Sequence, residues 1–345
     1  MAIVTSPVGQ AASRRRFLHL FGSTAVTVGA LSALSACESD GVVGAERVPV
    51  PTSTPTPTGT GVPNGYTATD ADRLNFMLQM HYLVAAYVQR GLTGGTIAAS
   101  LTGGGGTAGT VAGGRMVTFA DPVLLASLRE VQGDVVNRIG FLRRSLGSAV
   151  LAQPAINIAG GQGSPFQAIA RPNPANATPP TTFFDPYVSE NDFLLGAVAL
   201  SAIAKSAVVA LSALMTETSR ATLLRFAGGV SATDAIIRNA LFVRADALAA
   251  TPVAGQESLF NRADVMRQGR DQYDGPTGLD QNLGAGDATS VSANITMSDA
   301  QGLALRRTPE RALGVLYASA ASVSAGAFFP AGINGVIRQS GANAV

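Results

Sequence analysis

Apolar positions recur at helical spacing along four long stretches of the chain, and between them the sequence turns to glycine, proline and threonine. The first stretch, Thr69 to Gly91, opens with Thr69 as a cap and with Asp70 and Asp72 in the first turn, where carboxylates suit the positive end of the helix dipole. Leu74, Met77, Leu78, His81, Val84, Ala85 and Val88 form its inward stripe, with His81 as the anomaly in the middle. A second helix is expected over Asp121 to Leu146, capped by Asp121, with Pro122 at the first position and Gly147 as the stop. Its stripe is Leu124, Leu128, Val131, Val135, then Arg138 or Ile139, Leu142 and Leu146.

Asn191 or Asp192 opens a third helix, with Phe193, Leu194, Ala197, Leu200, Ala204, Val208, Leu211 and Met215 facing inward. Thr218 or Ser219 caps a fourth, whose stripe runs through Leu223, Ala227, Val230, Asp234, Ile237, Leu241 and Ala245 to about Ala250. Both are alanine-rich, which permits close approach. Beyond Pro252 the pattern loosens, and Asp271 to Asn294 reads as loop. Thr308-Pro309-Glu310 then starts a fifth helix reaching about Ala325, and Phe328, Phe329, Ile333, Val336 and Ile337 are placed to close one end of the assembly.

Two connections are long. Thr93 to Gly114 is glycine-rich and reads as a flexible crossover, and Gly147 to Glu190 is thick with Pro, Gly and Asn. Loops of that length inside a compact domain need a reason. A four-helix bundle with helices two and three parallel supplies one, because the chain must travel the length of the bundle before starting again. The Gly103 to Gly106 run lacks the Lys-Ser or Lys-Thr of a phosphate-cradling loop.

The first 65 residues have a different character. Ser13-Arg14-Arg15-Arg16-Phe17-Leu18 precedes an uncharged run from Phe21 to Ala36 that is too short for a stable membrane span. Residues 1–36 are therefore read as a twin-arginine export signal, the type that carries folded proteins, with Arg14, Arg15 and Arg16 as its basic part. Leu34-Ser35-Ala36-Cys37 resembles a lipobox, in which Cys37 is lipidated and becomes the mature N-terminus. A buried core thiol is the other reading of this single cysteine, and its place directly after the apolar run favours the anchor. Residues 37–65 follow as an extended Pro/Thr/Gly-rich linker, and 66–345 as one helical domain. The expected location is periplasmic or cell-surface, held to a membrane through Cys37.

Composition narrows the function. Tryptophan is absent and aromatics are few, which favours small-residue helix packing. Of the 24 basic residues three lie in the signal, which leaves 21 against 22 acidic, a net of −1. A near-neutral surface gives no electrostatic case for nucleic acid. There is no cysteine nucleophile in the folded part, no nucleophile elbow and no cluster with zinc-ligand spacing.

TDADRLNFMLQMHYLVAAYVQRGL resembles the opening helix of the exported ferritin-like domains, including the desiccation-related type, whose pattern runs roughly D-x-x-x-L-N-F-A-L-x-L-E-Y-L-E-A-A-F-Y. EVQGDVVNRIGFLRRSLG, over Glu130 to Gly147, is similar to that family's second helix, and RTPERALGVLY and GAFFPAGINGVI to its C-terminal segment. The resemblance implies an all-α ferritin-like four-helix bundle with long crossover loops and an additional C-terminal helix. It also implies a di-metal centre built from carboxylates of all four helices and two histidines. Carried across, the ligand positions fall on His81 and Val84, on Val135 and Arg138, near Ser201, and near Asp234 and Ile237.

Independently of that alignment, the chain after the signal has one histidine, His81, and seven glutamates, most outside the helical stripes. A two-histidine centre cannot then be assembled within one subunit, so neither metal nor cofactor is expected. His81, Arg138 and Asp234 are the candidate core polar site, with Arg138 and Asp234 neutralising each other. The alternative for Arg138 is that it snorkels to solvent while Ile139 faces in. These features point to a non-catalytic structural, stress-related or partner-binding protein, either with a protein partner or as a homo-oligomer. The other reading is a metal-binding redox or iron-storage protein with a reduced site around His81, Asp134 and Asp234, with Glu130 one turn away.

Overall fold

The computed structural model describes residues 67–172 and 182–341; the export signal, Cys37 and the linker lie outside them. Four long helices form the frame: α1 Asp70–Thr93, α2 Pro122–Leu146, α4 Glu190–Ser212 and α5 Glu217–Ala249. Three shorter ones accompany them among the described residues: α3 Pro165–Ile169, α6 Leu259–Asp271 and α7 Pro309–Tyr317.

The caps are where the side chains demand them. Thr69 and Asp72 form a reciprocal capping box on α1, which Gly94 closes in the left-handed conformation. Asp121 accepts from the amides of Val123 and Leu124 at the start of α2, with Pro122 at the first position, and Gly147 follows its end. The third and fourth long helices each begin earlier than their apolar stripes suggest. Ser189 accepts from the amide of Asp192 to cap α4. At the start of α5, Thr216 is held from outside, its amide and hydroxyl both donating to Asp70 on α1.

Side-chain contacts set the directions. Gln132 meets Gln89 and Arg143 meets Tyr82, so α1 and α2 are antiparallel. Tyr87 bonds the carbonyl of Phe193 while Asp70 bonds Thr216, so α1 and α4 are antiparallel too. Helices α2 and α4 are therefore parallel, and the Asp121 amide donates to Glu190 where the two begin side by side. Phe193 comes so close to α1 that a Cβ on Gly91 would lie 2.1 Å from its ring. Helix α4 is long and apolar enough to cross a membrane, yet nearly all of it is buried inside the bundle, the signature of a core helix.

The two crossovers are not loose. They run alongside each other, with β1 Val111–Ala112 pairing in parallel with β2 Ile156–Asn157, and with backbone bonds from Gly105 to Val150 and from Ile156 to Thr110. Glycine is what lets them touch: a Cβ on Gly109 would lie 2.0 Å from the Ala155 amide nitrogen. The crossover expected from composition to be flexible is thus tied to the second connection by a short parallel pairing and a bridge at Gly105.

Three further expectations change after α5. Leu259–Asp271 is a helix, capped by Ser258, where only irregular chain was expected. Its sequence is polar enough to hide the period. Within the segment read as loop, β3 Gly284–Gly286 and β4 Val291–Ala293 form an antiparallel hairpin. Helix α7 ends at Tyr317 instead of near Ala325, because Ala318 turns left-handed and the chain after it is held by Ser340, whose carbonyl accepts from the Ser322 hydroxyl and whose own hydroxyl accepts from the Val323 amide. Phe328, Phe329, Ile333 and Ile337 are buried against the bundle and Val336 half-buried.

Candidate functional site

His81 on α1, Arg138 on α2, Ser201 on α4 and Thr233 and Asp234 on α5 line one small cavity of about 20 Å³ between the four long helices. Val84, Val135, Ala204 and Val230 complete its wall. The three sequence-derived candidates therefore share one site, together with most of the positions to which the family's ligands map.

Their pairing differs from expectation. Arg138 does not meet Asp234: its Nη2 donates to the Gly229 carbonyl at 2.8 Å and to Thr233 Oγ1 at 2.6 Å, tying α2 to α5. Its side chain is half-buried, with Asp134 at 3.5 Å on the outer side, while Ile139 takes the core position. The guanidinium thus stands at the rim, neither snorkelling freely nor in the centre. Asp234, 2 % exposed, is satisfied instead by Ser201, whose hydroxyl donates to Oδ1 at 2.6 Å.

Burial governs the electrostatics. Desolvation pushes the Asp234 carboxyl above its usual range, partly opposed by the Ser201 bond and by the charges of Arg238 and Lys205. Desolvation likewise takes the His81 imidazole down to about 4, with the Met77 carbonyl opposing and the charge of Arg138 assisting. His81 Nδ1 lies 2.8 Å from the Met77 carbonyl. A carbonyl only accepts, so Nδ1 carries the proton and Nε2 is left with a lone pair. The ring packs against Phe226 at 5.1 Å between centroids.

A di-metal centre of the ferritin kind needs several carboxylates and two imidazoles at one level. The cavity offers one of each, valines where α1 and α2 would supply ligands, and a guanidinium at its rim. Ile237 is buried beside Asp234 and brings no donor atom. Asp134 and Glu130 are exposed on the outer face of α2, so neither adds a donor to the cavity. Among the described residues no group of three or more His, Cys, Asp or Glu side chains comes together to hold a metal ion. The residues lining this cavity do not fit that centre.

Sequence reasoning missed a larger set of buried charges beside this site. Lys205 donates to the Met297 carbonyl at 2.6 Å, and Arg238 to the carbonyls of Asn282, Asn294 and Ile295. Asp280 pairs with Arg270 and Arg307, and Asp274 with Arg307 and Arg311. One clue was present: Lys205 is the sole charge between Asp192 and Glu217, on a helix otherwise apolar.

Comparison with curated proteins and with solved structures returned no match. Residues 69–242, which span all four long helices up to the last turns of α5, match the ferritin-like domain family. The chain belongs to the ferritin-like domain family.

Proposed function

We propose that this is an exported, lipid-anchored ferritin-like bundle that has lost its metal centre and serves, without catalysis, as a structural, stress-related or partner-binding protein outside the cytoplasm. The carrying observation is the cavity itself: where the family's ligands map, valine, alanine and an α2–α5 tie through Arg138 close the space down to about the size of one water. A centre held by side-chain packing keeps the architecture without needing iron or manganese. The anchor rests on the sequence reading of Arg14, Arg15, Arg16 and Cys37. Elemental analysis of the protein purified from its own membrane fraction tests the metal part, and near-stoichiometric iron or manganese would overturn it. Loss of membrane association in Cys37→Ser tests the anchor.

A metal-binding redox or storage role is the second reading, and one observation favours it. The proton on His81 Nδ1 leaves the lone pair on Nε2, the tautomer a metal ligand adopts, and His81 lines the same cavity as Asp234.

A further inference from the structure

The outer face of α5 differs from every other exposed helix face in the bundle frame. From Ala221 to Ala250 the residues that recur outward are Gly228, Ala232, Ile236, Asn239, Val243 and Ala247, with Ile236 41 % and Val243 56 % exposed. The outward face of α2, by contrast, carries Arg129, Glu130, Asp134 and Arg144. Five charged residues lie in this part of α5. Asp234 and Arg238 are buried, and Arg244 pairs with Glu190. That leaves the exposed Arg225 and the half-buried Asp246, one at each end of the apolar stripe, and neither has an ion-pair partner among the described residues.

Their positions are related by symmetry. Arg225 stands as far before the midpoint between Ala235 and Ile236 as Asp246 stands after it. We propose that α5 is a self-association surface on which a second copy of this chain packs antiparallel, about a two-fold axis at that midpoint. The axis sets each Arg225 against the partner copy's aspartate at 246, about 32 Å of helix apart at the two ends of the contact. Between them large side chains meet small ones: Leu224 faces the position of Ala247, Val243 that of Gly228, and Asn239 that of Ala232. Small residues at the crossing let the backbones approach, as in other close helix pairs. A parallel pair would set Arg225 against its own copy. A membrane-lying helix would carry basic residues along its flanks, whereas this stripe has one charge of each sign.

Sedimentation equilibrium of the full chain carrying Cys37→Ser is the test, with circular dichroism to confirm folding. A concentration-dependent dimer is expected. Arg225→Asp or Asp246→Arg alone should weaken it by about tenfold or more, since like charges then face each other, and the double swap should restore it. On the same background Ile236→Cys should cross-link to its own copy on oxidation, while Asn137→Cys on α2 should not. A monomer at all concentrations would overturn the proposal, as would a dimer indifferent to both charge reversals. So would a monomer that binds phosphatidylglycerol vesicles through α5 in an Ile236→Glu-sensitive way.

Discussion

Ser201 on α4 and Asp234 on α5 are joined by a hydrogen bond of 2.6 Å, and it is this contact that satisfies the buried carboxylate. Removing the hydroxyl with Ser201→Ala leaves Asp234 buried without its donor. The expected loss of unfolding free energy is about 1–3 kcal/mol. Asp234→Asn on the Ser201→Ala background should recover part of it, because an amide costs less to bury than a carboxylate. Urea unfolding of the two variants checks the order, and a Ser201→Ala protein as stable as the parent would show that another group donates to Asp234.

His81 makes stability depend on pH with a definite sign. Burial holds its folded value near 4, below the ordinary 6.5, so between those values the unfolded chain takes up a proton that the fold refuses. The stability is present in full above about 6.5 and falls as pH drops toward 4, by about 3 kcal/mol at 1.36 kcal/mol per unit. Asp234 runs the other way: its raised value means that the folded state holds its proton longer, so its contribution is largest at low pH and is lost as pH rises through the folded value. His81→Phe keeps an aromatic ring against Phe226 and removes the titration. Its denaturation midpoint plotted from pH 7 to pH 4 should be flatter than the parent's, and equal slopes would mean that His81 is not held neutral.

Arg138 ties two helices together from the rim of the cavity. Arg138→Met keeps the aliphatic stem and deletes both bonds to α5, for an expected cost of about 1.5–3 kcal/mol, the range for hydrogen bonds to a charged group. A change of under about 0.5 kcal/mol in denaturant unfolding would place the guanidinium in solvent instead.

How much of this could be read in advance depended on what each residue signals locally. The four long helices were legible because cap, period and stop agreed, as at Asp121, Pro122 and Gly147, so local and tertiary preferences pointed the same way. His81, Arg138 and Asp234 stood out because each broke an apolar stripe of known period, and it was the resemblance to the family's ligand positions that put them at one level. Their partners were not, since Ser201 and Thr233 are small polar residues with no periodic signature, and one residue of helix rotation decides whether Arg138 or Ile139 faces in. Nor was the apposed crossover pair, whose glycines look like flexibility in sequence and turn out to be contact points such as Gly109. Helix α6 and the ion network were hidden most completely. In α6 the buried apolar residues Leu259, Phe260 and Met266 are too few and too unevenly spaced to show a period, and in the network burial is achieved by pairing charges, which leaves no apolar pattern to read.

That network carries the last prediction. Arg307 is fully buried, donates to Asp274 through both Nε and Nη2 and to the Ser206 hydroxyl through Nη1, and lies 2.9 Å from Asp280. Its guanidinium holds the Asp280 carboxyl well below the usual range, together with Arg270, against the opposing effect of burial. Arg307→Met fills much the same volume and leaves the buried Asp274 and Asp280 with one cation each, Arg311 and Arg270, in place of two, which should cost about 3 kcal/mol. The size of the loss is informative because Lys205 and Arg238 are anchored to the adjoining backbone over 282–297. If the segment is held to the bundle through its charges, unfolding should stay a single transition in the parent and split in Arg307→Met, with hydrogen exchange rising first over 274–297. A variant that loses less than about 1 kcal/mol and keeps one transition would mean that the apolar contacts of α7 hold this part of the chain, with the ion pairs contributing little.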